Sequence, residues 1–159
     1  MKVVLQRVKK ASVNVEERVI GSIDVGYLLL VGFEVGDGVF LLEAMLEKIN
    51  QMKLFPDAMG RFSHSLNEIS GSMLVVSQFT LSAELKKGRK PSFTRSLDPK
   101  PAEALYDEFI EQARKKNIPV QTGEFGAMMQ VSLQNDGPVT IILDSKHLFP
   151  LLHEKHKGE

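Results

Sequence analysis

Along the first third of the chain, apolar and polar residues alternate with a period of two. Residues 2–8 and 11–15 carry the pattern, 18–23 continues it, and 27–33 is an almost unbroken apolar run. Alternation marks strands with one buried face, and a short apolar run marks a strand buried on both. After Asp37 and Gly38 the period changes. Leu42, Met45, Leu46, Ile49 and Met52 recur at spacings of three and four, which predicts a helix with one buried stripe. The segment Phe55-Pro56-Asp57-Ala58-Met59-Gly60 is rich in turn formers. Residues 72–81 read as another strand, buried over 73–76. A polar loop over 82–97 leads to a second helix. Asp98 is placed to cap its N-terminus, and Pro99 takes the first helical position, where a missing N–H costs nothing. Leu105, Phe109 and Ala113 form its inner stripe, and Asn117 with Pro119 ends it. Two strands, 128–133 and 139–143, then flank Asn135-Asp136-Gly137-Pro138, where Asp-Gly signals a hairpin.

This order predicts an α+β fold in which a curled, mostly antiparallel, barrel-like β-sheet is covered by two α-helices. Residues 1–144 are expected to form a single domain. Residues 145–159, with three of the four histidines, are expected to form a peripheral tail or short helix.

Charge narrows the function. The 20 basic and 20 acidic side chains cancel, whereas a protein gripping long stretches of nucleic-acid backbone is usually basic. The chain has no cysteine, so disulfides, thiolate nucleophiles and Cys-ligated zinc are excluded. No apolar stretch approaches the roughly 18 residues of a membrane span. Residues 1–10 alternate rather than forming a signal-peptide core, so a cytoplasmic protein is expected.

Several segments carry candidate chemistry. Ser77-Gln78-Phe79-Thr80-Leu81 ends the buried run 73–76. It is either a strand end whose hydroxyls bond local backbone, or a strand end presenting backbone N–H groups and a hydroxyl to a pocket. Thr80 is a nucleophile only where a base activates it, and no base accompanies it in the pattern. Gly137-Pro138 is either part of a plain turn or a cis peptide that aims two carbonyls the same way. Between Glu84 and Asp98 stand Lys86, Lys87, Arg89, Lys90 and Arg95 with no acid. They form either a solvated loop or a local phosphate-binding patch, with Phe93 available to stack. Arg7 sits inside a strand pattern; turned inward, it needs carbonyl or carboxylate partners. His64 stands alone and His147, His153 and His156 cluster in the tail, so no metal site is expected. The chain carries no phosphate-binding loop, dinucleotide glycine signature or Gly-x-Ser-x-Gly elbow.

Taken together, Ser77-Gln78-Phe79-Thr80-Leu81 and Asn135-Asp136-Gly137-Pro138-Val139-Thr140 resemble the signature pair of the D-aminoacyl-tRNA deacylase (D-tyrosyl-tRNA deacylase) family. Leu5-Gln6-Arg7-Val8, Ala11-Ser12-Val13, Pro91-Ser92-Phe93, Ala104-Leu105-Tyr106, Gln121-Thr122-Gly123 and Met129-Gln130-Val131-Ser132-Leu133 also fall in the expected order. The resemblance covers residues 1–143. It implies a metal-independent and cofactor-free enzyme that hydrolyses the ester of D-aminoacyl-tRNA to free D-amino acid and tRNA. The L form is rejected, and glycyl-tRNA, lacking a side chain, is a further candidate substrate. It implies a homodimer acting on the tRNA 3′ end, with neither membrane nor DNA as partner.

By position, Gly137-Pro138 is then a cis dipeptide that reaches in trans into a partner's pocket and reads the α-carbon, and Arg7 holds it. Ser77, Gln78, Phe79 and Thr80 line the pocket, with Met129 walling it. The backbone amides of Phe79 and Thr80 stabilise an oxyanion. Lys86, Lys87, Arg89 and Lys90 meet the tRNA backbone. Two departures from the family's pattern stand out: the tail from Ser145 onward, and Arg61-Phe62-Ser63-His64. Two rivals remain, a non-catalytic module for the tRNA 3′ end and a structural β-protein.

Overall fold

In the computed structural model, which describes residues 1–158, a single strand β1 (Lys2–Val15) runs through both expected N-terminal strands. Its alternation buries Val3, Leu5 and Arg7, then slips so that Val8, Ala11 and Val13 are buried. The slip coincides with register shifts against a neighbouring strand between Gln6 and Val8 and between Val8 and Lys10. A change of phase inside one strand looks, in sequence, like two strands.

Both edges of β1 are occupied. On one edge, residues 2–8 pair with β3 (Gly26–Gly32) and residues 11–15 with β2 (Arg18–Ile23), both antiparallel. On the other lies β8 (Gln130–Asp144), antiparallel over nearly the whole length. From β3 the sheet continues in parallel to β6 (Ser72–Ser77) and then to β7 (Val120–Thr122). The sheet is thus mixed, with antiparallel pairs around β1 and parallel ones beyond β3. It curls until β2 meets β7, where a Cβ on Gly21 would stand 2.4 Å from the Thr122 carbonyl oxygen. Only glycine allows that near-closure. A separate hairpin, β4 (Lys53–Pro56) and β5 (Phe62–Ser65), is built around the turn-rich segment 55–60.

The helices lie where the spacing placed them. Helix α1 (Leu42–Gln51) follows a 3-10 turn (Val39–Leu41) and buries Leu42, Met45, Leu46 and Ile49. Met52 falls just beyond it. Helix α2 (Pro99–Lys115) buries Leu105, Tyr106, Phe109 and Ala113. Each large apolar side chain removed from water contributes about 1.5–3 kcal/mol, which fixes both helices on the sheet face. Asp98 stands at the expected cap position, but its side chain makes no capping bond.

Two other expectations need correction. The strand over 72–81 stops at Ser77, and Phe79–Ser82 forms a 3-10 turn. Asn135-Asp136-Gly137-Pro138 is not a hairpin. The chain keeps its direction in β8, and 136–139 loop out between the pairs Val8↔Asn135 and Gln6↔Thr140. The tail, expected to be peripheral or a short helix, forms two short helices, α3 (Ser145–Leu148) and α4 (Pro150–Lys155), docked on the rest of the chain. Ser145 is fully buried, its Oγ lies 2.9 Å from His153 Nε2, and the His156 ring stacks on Phe40 at 3.9 Å. Burial lowers the His153 pKa, with Asp37 opposing. Glu159, the end of the expected tail, lies outside the described residues.

A buried carboxylate ties these pieces together. Glu34 is 1% exposed and meets Lys2 Nζ at 3.0 Å, Arg95 Nη2 at 3.2 Å and Lys146 Nζ at 2.6 Å. Burial alone would raise its pKa, but the bonds from Lys146 and Lys2 outweigh it and bring the carboxyl from 4.5 to about 2. A carboxylate with a depressed folded pKa stabilises the fold above its unfolded value and loses that contribution as it is protonated. The stability of the protein should therefore fall as pH drops from 4.5 toward 2, in part through Glu34. In Glu34→Gln, thermal unfolding followed against pH should show a lower Tm at neutral pH and a flatter acid limb across that window.

Candidate active site

The parallel pairing of β3 with β6 delivers the first half of the site. Val31 lies opposite Ser77, and its carbonyl accepts the Gln78 amide at 2.7 Å. The chain then turns sharply into the 3-10 turn, whose Leu81 and Ala83 amides bond the Gln78 and Thr80 carbonyls. The amides of Phe79 and Thr80 open that turn. They find no acceptor among the described residues, as expected for the first N–H groups of a helical turn. Beneath them the Tyr106 hydroxyl donates to the Val75 carbonyl at 2.8 Å. Burial raises its pKa, which keeps it a neutral donor.

Beside this turn opens a cavity of about 600 Å³, lined among others by Ser77, Gln78, Phe79, Phe93, Phe125 and Met129. Phe79 and Phe93 meet edge to face at 5.0 Å. The wall is mostly apolar, and Asp98 is the single ionisable residue in it among the described residues. Thr80 is not part of the lining, and its Oγ1 accepts a bond from the Gln78 side-chain amide. Among the described residues no carboxylate, imidazole or amine is bonded to the Thr80 hydroxyl. Free backbone donors beside an apolar cavity suit reactions that develop charge on an acyl oxygen, because such donors act strongly where water is excluded.

The second group of expected residues gathers elsewhere. Arg7 is 6% exposed and turned inward. Its Nε donates to the Asp136 carbonyl at 2.8 Å and its Nη1 to the Leu54 carbonyl at 2.5 Å. The Asp136 carboxylate stands 3.8 Å from Nε. Tyr27, opposite Arg7 in β3, stacks on Phe55 at 5.2 Å; burial raises its pKa, and the Arg7 charge opposes this. Asn135 closes the loop that follows. Its Oδ1 accepts the Val139 amide at 2.7 Å, and its Nδ2 donates to the Val139 carbonyl at 3.1 Å. The Gly137-Pro138 peptide is cis, with Gly137 at φ 143°. A Cβ there would lie 2.8 Å from Val139 Cγ2 and 2.9 Å from its nitrogen, so only glycine fits. None of Arg7, Asp136, Gly137 or Pro138 lines the cavity of its own chain.

Lys86, Lys87, Arg89 and Lys90 project from an exposed loop between the 3-10 turn and Phe93, closed at its base by the Glu84↔Ser92 bridge. They form no ion pair among the described residues, whereas Arg95 is taken up by Glu34 and Glu84. No group of three His, Cys, Asp or Glu side chains is placed to hold a metal among the described residues. No described helix is long and apolar enough to cross a membrane. Sequence reasoning gave no role to the Leu54 carbonyl or to the Asn135 side chain. A polar residue opening a segment that must leave and rejoin a strand was the available signal for Asn135.

Comparison with known proteins gives this frame its family. A model described as D-Tyr-tRNA(Tyr) deacylase matches residues 4–144. The D-aminoacyl-tRNA deacylase of Syntrophus aciditrophicus (strain SB) is 49% identical over 94% of this chain and 100% of its own. That of Chloroflexus aurantiacus is 50% identical over 93% of this chain and 92% of its own. A solved structure of a "c-Myc DNA Unwinding Element Binding Protein" is 43% identical with a TM-score of 0.86, covering 91% of this chain and 99% of its own. A probable eukaryotic D-amino acid tRNA deacylase, 19% identical with a TM-score of 0.77 over 90% and 98%, shares the fold. The chain belongs to the D-Tyr-tRNA(Tyr) deacylase family.

The Asn135 bonds should hold the 136–139 loop in place. Asn135→Ala removes a net of about 0.5–1.5 kcal/mol per lost bond. Hydrogen exchange of the Val139 amide should accelerate by about tenfold, while protection in β3 and β6 stays unchanged.

Proposed function

We propose that this protein is a D-aminoacyl-tRNA deacylase in which the Phe79 and Thr80 amides stabilise the reacting oxyanion and Gly137-Pro138 selects handedness. The observation that carries it is an unbonded backbone amide at Phe79, in the wall of an apolar cavity, followed by a second unbonded amide at Thr80, in a chain of this family. Water adds to the ester carbonyl, the bond from that carbon to the ribose oxygen breaks, and the ribose leaves as a hydroxyl. The ester is already activated, so positioning and oxyanion stabilisation supply much of the rate. Ser77, Gln78 and Met129 shape the pocket around the acyl group. A catalytic site rather than a receptor fits best, because stacking on the tRNA end needs no free amides.

The selecting loop acts in trans. Gly137 and Pro138 stand outside their own cavity, and the outer edge of β8 exposes Leu133 and Ile142. A two-fold homodimer brings the loop of one protomer to the pocket of the other. Arg7 holds the loop, and its carbonyls exclude an L side chain. Glycyl-tRNA has no side chain to exclude and is a secondary substrate.

Lys86, Lys87, Arg89 and Lys90 receive phosphates of the acceptor end, and the rest of the tRNA stays outside a chain with zero net charge. One solved relative is called a DNA-binding protein. DNA is nevertheless not the partner on this reading, since no excess of cations serves a duplex. A protein acting on charged tRNA would do so in the cytoplasm. Residues 1–144 form the deacylase domain, and 145–159 an appended tail.

The direct test is release of amino acid from matched D- and L-tyrosyl and D- and L-aspartyl tRNAs. Both D substrates should be hydrolysed rapidly and both L substrates hardly at all. Comparable rates on D and L forms would remove the proposal. Thr80→Ala should stay within about tenfold of wild-type kcat/KM, since only a side-chain bond is lost, whereas loss of a nucleophile costs several orders of magnitude.

A further inference from the structure

The segment Arg61-Phe62-Ser63-His64 enters the structure as the body of β5 and the end of its turn. Asp57 organises that turn. Its Oδ1 accepts the Met59 and Arg61 amides at 2.9 and 3.0 Å, and its Oδ2 accepts Ser63 Oγ at 3.0 Å. Phe62 is therefore carried on a braced hairpin. It is 58% exposed and joins neither buried apolar cluster. An aromatic ring left in water on a rigid hairpin contributes nothing to the core. What it does meet is Arg7, whose guanidinium carbon lies over the ring at 5.8 Å from the centroid.

That contact complements the bonds Arg7 already makes. The Asp136 and Leu54 carbonyls accept from Nε and Nη1, so both act along the guanidinium edge. Edge bonds leave the plane free to tilt about them, and an arginine side chain has ample rotamer freedom to do so. A ring over which the cation sits opposes that tilt through cation–π attraction. The β4–β5 hairpin thus holds Arg7 by two routes, the Leu54 carbonyl that accepts from Nη1 and the Phe62 ring over which the guanidinium carbon lies. Arg7 Nη2 in turn lies 3.3 Å from the point where a Cβ on Gly137 would stand.

We propose that Phe62 is a positioning residue for stereochemical selection: its ring steadies Arg7, and through Arg7 the loop that rejects L-aminoacyl esters. This rests on the role given above to Gly137-Pro138. A looser loop yields first to the group it must exclude, so loss of the ring raises the rate on L substrates more than it lowers the rate on D substrates. The contact is partly exposed, and its loss should change the D-over-L ratio of kcat/KM by about two- to fivefold.

The experiment measures that ratio with D- and L-tyrosyl-tRNA in the full-length protein. Phe62→Ala, Phe62→Leu, Phe62→Tyr and Arg7→Lys are compared with wild type, with thermal unfolding followed in parallel. Phe62→Ala and Phe62→Leu should lower the ratio by the stated factor, and Phe62→Tyr, which keeps the ring face, should preserve it. Should Phe62→Ala fail to fold, the Leu and Tyr pair decides alone. A ratio unchanged in Phe62→Ala, or preserved in Phe62→Leu as well as in Phe62→Tyr, overturns the proposal while Arg7→Lys still lowers it. If Arg7→Lys also leaves the ratio intact, the role of the Gly137-Pro138 loop falls with it.

Discussion

The pairing of β1 with three strands at once is the constraint on which both halves of the candidate site rest. Through β3 and β6 one edge of β1 sets the height at which Ser77 ends its strand and the Phe79 and Thr80 amides emerge. Through β8 the other edge sets where 136–139 must leave the ladder. The two groups are thus delivered by opposite edges of one strand. Their separation within a chain follows from the sheet itself, and neither can slide without shifting β1 against its partner.

Arg7 stands just ahead of the point, between Val8 and Lys10, where the phase of β1 slips. Residues 7 and 8 face opposite sides of the sheet, and both are buried because an apolar cluster covers each side. Arg7 follows Val3 and Leu5 toward the larger cluster, while Val8 reaches the smaller one. Burying a guanidinium is costly unless its donors are met. Main-chain carbonyls from β4 and from the loop accept from Nη1 and Nε, and a backbone partner cannot be removed by changing a side chain.

Much of this is legible in the sequence. The helical stripes of α1 and α2 stand out because each helix meets the core along one face, and the β-rich start follows from plain alternation. The two segments 77–81 and 135–140 have plain local readings as a strand end and a turn, and stand out only through their resemblance to a family's paired motifs; the structure gathers Ser77, Gln78, Phe79 and Met129 at one cavity. What sequence cannot show is relational. Asp136-Gly137 has the chemistry of a hairpin turn, and only the continuous run of β1 alongside tells the chain to go straight on. Parallel pairing of β6 with β7 needs partners nearly fifty residues apart, and a three-residue strand carries too little pattern to be seen. Asp98 has the composition of a cap without making the bond. His153 and His156 find their partners in Ser145 and Phe40, the second far off in sequence.

The shape of β8 also bears on how a single chain meets other strands. Its inner edge is paired with β1, and its outer edge is paired with no described strand of the chain. A straight fifteen-residue edge would be a template for indiscriminate strand addition by unfolded neighbours. The excursion at 136–139 cuts that edge into two short lengths, and Pro138 offers no N–H where they join. A newly made chain therefore presents an interrupted edge that an arbitrary strand cannot copy end to end. The excursion that shapes the loop also guards the free edge of β8 against aggregation.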